Sequence, residues 1–101
     1  DVIYVCGGSA THLLKKMLKV NFPDLLKVFL KNDGVYVGVS AGSYVCTLDL
    51  DKGLGILPCH IKVHSQRGSL PGMIDFKKYS LIRLTDFQAI VVEDSRCNII
   101  E

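Results

Sequence analysis

Val35-Tyr36-Val37-Gly38-Val39-Ser40-Ala41-Gly42-Ser43-Tyr44-Val45 is the stretch whose reading decides the fold. An apolar, β-branched run breaks at a glycine, presents a serine and resumes after a second glycine, which is the order strand, sharp turn, helix with Ser40 at the apex. Gly-x-Ser-x-Gly is the nucleophile-elbow pattern. A turn this tight presses backbone against backbone, so a Cβ on either flank would clash while the serine side chain is held up into solvent. The pattern alone also occurs in ordinary glycine-rich turns. The strand directly ahead of it gives it weight here.

Upstream, Val2-Ile3-Tyr4-Val5-Cys6 is a second continuous apolar run, expected as a strand buried on both faces of a parallel sheet. It stops at Gly7-Gly8-Ser9. Over residues 11–20, Leu13, Leu14, Met17, Leu18 and Val20 are set against Lys15, Lys16 and Lys19, the spacing of an amphipathic helix with a basic outer face. Pro23 opens a second helix at a tolerated first-turn position, residues 24–31 continue it, and Asn32-Asp33-Gly34 ends it. Two strand-to-helix units in succession imply right-handed crossovers and a parallel sheet, so the class is α/β. The Gly7-Gly8 turn leaves backbone N–H groups free at a helix start, able to receive an anion or a developing oxyanion; a plain tight connection is the alternative.

Downstream, a short helix is expected over residues 41–48, then a glycine-bounded loop over the active edge. Cys59-His60-Ile61-Lys62-Val63-His64 alternates strictly, directing Cys59, Ile61 and Val63 to the core and His60, Lys62 and His64 away from it. Active groups of open α/β sheets gather at the carboxyl ends of strands, which assigns His64 rather than His60 to the edge of Ser40. On one strand the two histidines lie ~13 Å apart, too far to share an ion, and no metal is expected. Arg67, in the loop over residues 65–72, offers a planar fork for a substrate carboxylate, with a solvated loop arginine as the alternative. Residues 75–84 read as a weak helix. Residues 88–93 and 97–100 read as strands of a C-terminal antiparallel β-hairpin.

The 101 residues suit one domain, residues 1–101. An apolar fraction of 49% is high for so small a chain, as is a mean hydropathy of +0.30. No run approaches the ~18 apolar residues of a membrane span, so the surplus points to a homo-oligomer or a missing complementary segment. Asp1 leads straight into a strand, as a piece of a larger domain would. A net charge of +2 without a basic stripe argues against nucleic acid. Four cysteines with no C-x-x-C pair and no secretory leader read as reduced thiols in a cytoplasmic protein.

Four stretches, in order, resemble the serine peptidase family of aspartyl dipeptidase (dipeptidase E) and cyanophycinase. They are Asp1-Val2-Ile3-Tyr4-Val5 with Gly7-Gly8, Gly38-Val39-Ser40-Ala41-Gly42-Ser43, Gly53-Leu54-Gly55-Ile56-Leu57-Pro58 with His64, and Asp86-Phe87-Gln88-Ala89-Ile90-Val91-Val92-Glu93. The resemblance implies a flavodoxin-like parallel sheet flanked by helices, related to class I glutamine amidotransferases. It implies cleavage after an aspartyl residue in short Asp-containing peptides, with no cofactor. It makes Ser40 the nucleophile, His64 the base, and the amides of Gly7, Gly8 and Ala41 the oxyanion hole. The family domain begins with further strands and helices ahead of the point where Asp1 stands, so the front of the sheet is expected to be missing. The acidic triad member is expected between Ser40 and His64, a connection shorter than the family's. Asp49 and Asp51 lie there, and Asp51, deeper in the loop, is preferred. The competing reading is an inactive family remnant serving as a binding or assembly module.

Overall fold

A computed structural model describes residues 1–47, 54, 56–75, 78, 80–94 and 96–101. The chain divides into two compact units, Asp1–Ile56 and Leu57–Glu101.

In the first unit, β1 (Val2–Val5) leads through α1 (Ala10–Lys19) and α2 (Phe22–Lys31) to β2 (Val35–Gly38) and α3 (Ala41–Tyr44). Ser9 caps α1, its hydroxyl accepting from the His12 N–H, and Lys16 and Lys19 occupy the last turn, where cations suit the helix dipole. Pro23 sits in the first turn of α2, which needs no proline N–H. The helix stops as the Gly34 N–H bonds back to the Phe29 carbonyl. A side chain at Gly34 would run into the Phe29 ring.

β1 and β2 pair in parallel with Val2 opposite Val35 and Val5 opposite Gly38. The expectation of a strand buried on both faces is corrected here. Val2 and Tyr4 of β1 and Val35 of β2 are exposed, while Ile3 and Val5 alternate to the half-buried face. The described part of this sheet has two strands. Leu14 and Met17 from α1, Leu26 from α2, and Ala41, Val45, Cys46 and Leu54 form the buried interior.

In the second unit, β3 (His60–Lys62) and β5 (Leu81–Arg83) pair in parallel, with His60 opposite Leu81 and Lys62 opposite Arg83. A three-stranded antiparallel sheet runs β4 (Gly72–Ile74), β7 (Arg96–Ile100), β6 (Ala89–Glu93). The expected hairpin is β6–β7, and β4 adds a third strand to it. Where a helix was expected over residues 75–84, residues 81–83 form β5 instead. Ile82 and Leu84 are buried and Leu81 and Arg83 exposed, a period of two in a run too short for helical spacing to assert itself. Cys59, Ile61, Ile82, Leu84 and Ile99 make the core, with Leu57, Val63, Ile74 and Ile90 packed against it.

The mixed α/β class is therefore observed, with its parallel pairing split between the two units and the antiparallel strands confined to the second. Of the four cysteines, Cys46, Cys59 and Cys97 are buried and Cys6 is exposed. Among the described residues no helix is long and apolar enough to cross a membrane.

Ile82 is 1% exposed at the centre of the second unit's core. Ile82→Ala is expected to destabilise the chain by about 2–5 kcal/mol and Ile82→Val by about 0.5–1.5 kcal/mol. Urea denaturation checks this; equal midpoints for the two variants would remove Ile82 from the core.

Candidate active site

The serine turn is built by backbone contact. Val39 N–H bonds to the Val5 carbonyl at 2.9 Å, which carries the parallel ladder one residue past β2. The chain then reverses at Ser40, whose φ of 55° and ψ of −110° lie outside the regions L-residues ordinarily occupy. A residue held there stores about 1–3 kcal/mol of strain, which the surrounding contacts must overcome. Gly42 rests directly on the Val5 carbonyl, leaving no room for a side chain, and a Cβ at Gly38 would lie 2.5 Å from the Gly42 oxygen. Both glycines of Gly-x-Ser-x-Gly are thus required by close approach, as the sequence suggests.

Two side chains latch the turn. The Tyr36 hydroxyl donates to the Gly42 carbonyl at 2.7 Å, and the Ser43 hydroxyl donates to the Gly38 carbonyl at 2.8 Å. Burial, reinforced by the neighbouring Cys46, pushes the Tyr36 phenol well above its ordinary range, so it stays a donor. Burial also pushes the Cys46 thiol up to about 11, against the opposing pull of its hydrogen bond with Tyr36. A thiol so protonated is a packing group, donating to the Gly42 carbonyl at 3.5 Å, rather than a nucleophile.

Because β1 and β2 are parallel neighbours, Gly7-Gly8 and Ser40-Ala41 leave the same edge of their sheet. Gly8 has a φ of +113°, and a side chain at Gly7 or Gly8 would meet open space. At Gly8 the lack of a side chain serves the backbone path rather than packing. Ala41 lies in the first turn of α3, where N–H groups have no intrahelical acceptor.

His64 stands two residues beyond β3, at its carboxyl end, also with positive φ (55°). The parallel ladder continues past both strands: Leu84 N–H bonds to the Lys62 carbonyl at 2.9 Å, and Ser65 N–H bonds to the Leu84 carbonyl at 3.0 Å. This lacing brings His64 beside the turn after β5, where His64 Nδ1 meets Asp86 Oδ1 at 2.5 Å. Both side chains are about two-thirds exposed, at 65% and 66%. Lys62, His64, Ser65, Gln66, Arg67 and Arg83 line an open depression here, so Arg67 shares the surroundings of His64.

The contact of His64 with Asp86 is not among the expectations from sequence. The preferred acid, Asp51, and its alternative, Asp49, lie outside the described residues. The signal for Asp86 was available in the Leu81-Ile82-Arg83-Leu84 run. Read as a strand parallel to β3, it sets the next turn against His64; read as a helix, it hides the pair.

Gly42→Ala is expected to cost about 1–3 kcal/mol through overpacking against β1, whereas Gly7→Ala, in open space, stays within about 0.5 kcal/mol. Comparable denaturation midpoints for the two would contradict the packing described. The fold favours the neutral Cys46 thiol, raised from 9.0 to about 11, so its contribution is complete below pH 9 and is lost as pH rises through about 11. Urea midpoints should fall across that interval, and fall less in Cys46→Ala; parallel declines would count against the burial of Cys46.

Comparison with known proteins agrees with this architecture. No curated protein matches the chain. Among solved structures, it is similar to the 1.5 Å crystal structure of a candidate peptidase E from Listeria monocytogenes EGD-e, with a TM-score of 0.79 at 17% sequence identity. The match covers 100% of this chain and 59% of that one. It shows the fold, the class I glutamine amidotransferase-like α/β arrangement expected from sequence. The family model described as Peptidase family S51 matches residues 1–54, which carry β1, the Gly7-Gly8 turn, β2 and the Ser40 turn. With more than half of its length matched, the chain belongs to peptidase family S51.

Proposed function

We propose that the chain is the catalytic part of a serine-type peptidase acting on short Asp-containing peptides, with Ser40 as nucleophile on a nucleophile elbow and His64 as general base. The observation that carries this reading is the conformation of Ser40, held at φ 55° and ψ −110° between two glycines that pack backbone on backbone. A purely structural turn has no need of that strain, whereas an attacking hydroxyl must be lifted clear of the sheet edge.

In the proposed reaction the Ser40 hydroxyl attacks the carbonyl carbon of the scissile peptide as His64 Nε2 takes its proton. The N–H groups of Ala41 and of the Gly7-Gly8 turn receive the charge appearing on the carbonyl oxygen, each such donor being worth about 3 kcal/mol of barrier. His64 returns the proton to the leaving amine, and a water then cleaves the acyl-serine ester along the same path. Arg67, beside His64, supplies a cationic fork for the substrate's aspartyl carboxylate.

Release of the free amino acid from Asp-X dipeptides tests the reading. Ser40→Ala is expected to lower kcat by at least about a thousandfold, and a fluorophosphonate probe should label the wild-type chain but not the variant. Equal rates for the two proteins, or a wild-type chain inert to the probe, would overturn the peptidase reading and leave a binding or assembly module.

A further inference from the structure

We infer that Tyr36 is a positioning residue for the oxyanion donor, its phenol acting through two peptide groups to aim the Ala41 N–H. The inference rests on the reading of Ser40 as nucleophile and of the Ala41 N–H as a donor to the developing oxyanion.

A chain of hydrogen bonds carries it. The Tyr36 hydroxyl donates to the Gly42 carbonyl at 2.7 Å. That carbonyl belongs to the Gly42–Ser43 peptide, whose other end, the Ser43 N–H, donates to the Ser40 carbonyl at 2.9 Å. The Ser40 carbonyl shares one rigid peptide plane with the Ala41 N–H, and in a trans peptide the two point in opposite directions. Holding the oxygen therefore sets the direction of the N–H. The Tyr44 N–H also donates to the Ser40 carbonyl, at 3.1 Å, so the Ala41 N–H points away from both donors of α3.

The turn needs such a hold. The torsion that swings the Ser40–Ala41 peptide is the ψ of Ser40, and at −110° it lies in a strained region from which an unsupported turn would relax. Support from α3 alone is weak, because a helix of four residues is too short to hold its own shape. Side chains fasten it to β2 from both directions. The Ser43 hydroxyl reaches from α3 to the Gly38 carbonyl at 2.8 Å and grips the peptide ahead of the turn. Tyr36 reaches from β2 to α3 and grips the peptide that bonds to Ser40.

Tyr36 is the principal donor to the Gly42 carbonyl. The Cys46 thiol donates to the same oxygen at 3.5 Å, and a sulfur donor is the weaker of the two. Burial keeps the phenol protonated, so its hydrogen bond persists across the range in which a serine peptidase works.

Tyr36→Phe in the full chain tests the inference, since it removes the hydroxyl and keeps the ring. Fluorophosphonate labelling of Ser40 is expected to slow by about tenfold or more, as for a misdirected oxyanion donor. With an Asp-X dipeptide, kcat should fall while KM holds, the mark of an interaction made only in the transition state. Leu26→Val, which loosens the buried interior of the same unit, is the control: it should lower the urea midpoint and leave the labelling rate unchanged. Amide hydrogen exchange followed by NMR reads the chain of bonds without any chemistry. Protection of the Ser43 N–H should drop by about fivefold or more in Tyr36→Phe, and hold at Leu14 and Met17 in α1. Equal labelling rates in wild type and Tyr36→Phe, equal slowing in Leu26→Val, or unchanged Ser43 protection overturns the positioning role. A wild-type chain that never labels overturns the peptidase reading instead, and Ser43 exchange then decides by itself whether Tyr36 holds the turn.

Discussion

The first unit depends on one close approach, that of the Gly42 backbone to the Val5 carbonyl. The contact seats α3 on the end of β1, and the Val39 N–H bond to the same carbonyl fixes where β2 ends. With both held, the chain has one residue in which to turn from strand to helix, and Ser40 takes the strain. The Tyr36 and Ser43 hydroxyls add hydrogen bonds across the turn, worth about 1 kcal/mol each on typical values. Their sum is of the order of the strain at Ser40, so the turn persists because several groups hold it at once. A side chain at Gly42 would lift α3 and release that constraint.

Parallel pairing governs the second unit in the same way. An antiparallel pair would send the residues after β3 and β5 to opposite ends, whereas parallel strands deliver both to one edge. His64 and Asp86 are neighbours for this reason, although 22 residues separate them in sequence. Each unit thus presents its candidate site residue at the carboxyl end of a parallel pair, Ser40 beyond β2 and His64 beyond β3.

Local signals made much of this legible. The glycines around Ser40, Pro23 at the start of α2, the Lys-studded face of α1 and the alternation of residues 59–64 each report a short-range constraint, and the corresponding elements appear where expected. What failed depended on partners distant in sequence. Val2 and Tyr4 carry the composition of a doubly buried strand, yet their burial is decided by what lies over the sheet, and both are exposed. Residues 81–84 hold two exposed and two buried positions, too few to separate a period of two from one of 3.6 until β3 is known to lie alongside. The His64–Asp86 contact goes unanticipated for that reason, since it arises from strand register rather than from sequence neighbours.

The exposure of the His64–Asp86 pair bears on what it can do. At about two-thirds exposure for each partner, screening by water leaves such a pair with at most about 1 kcal/mol of folding stability. The second unit holds together through Cys59, Ile61, Ile82, Leu84 and Ile99, and its turn through Thr85 and Gln88. The carboxylate of Asp86 is thus nearly uncoupled from the energetics of the fold. The contact is therefore a consequence of where parallel pairing places the two turns, and not a support of the fold.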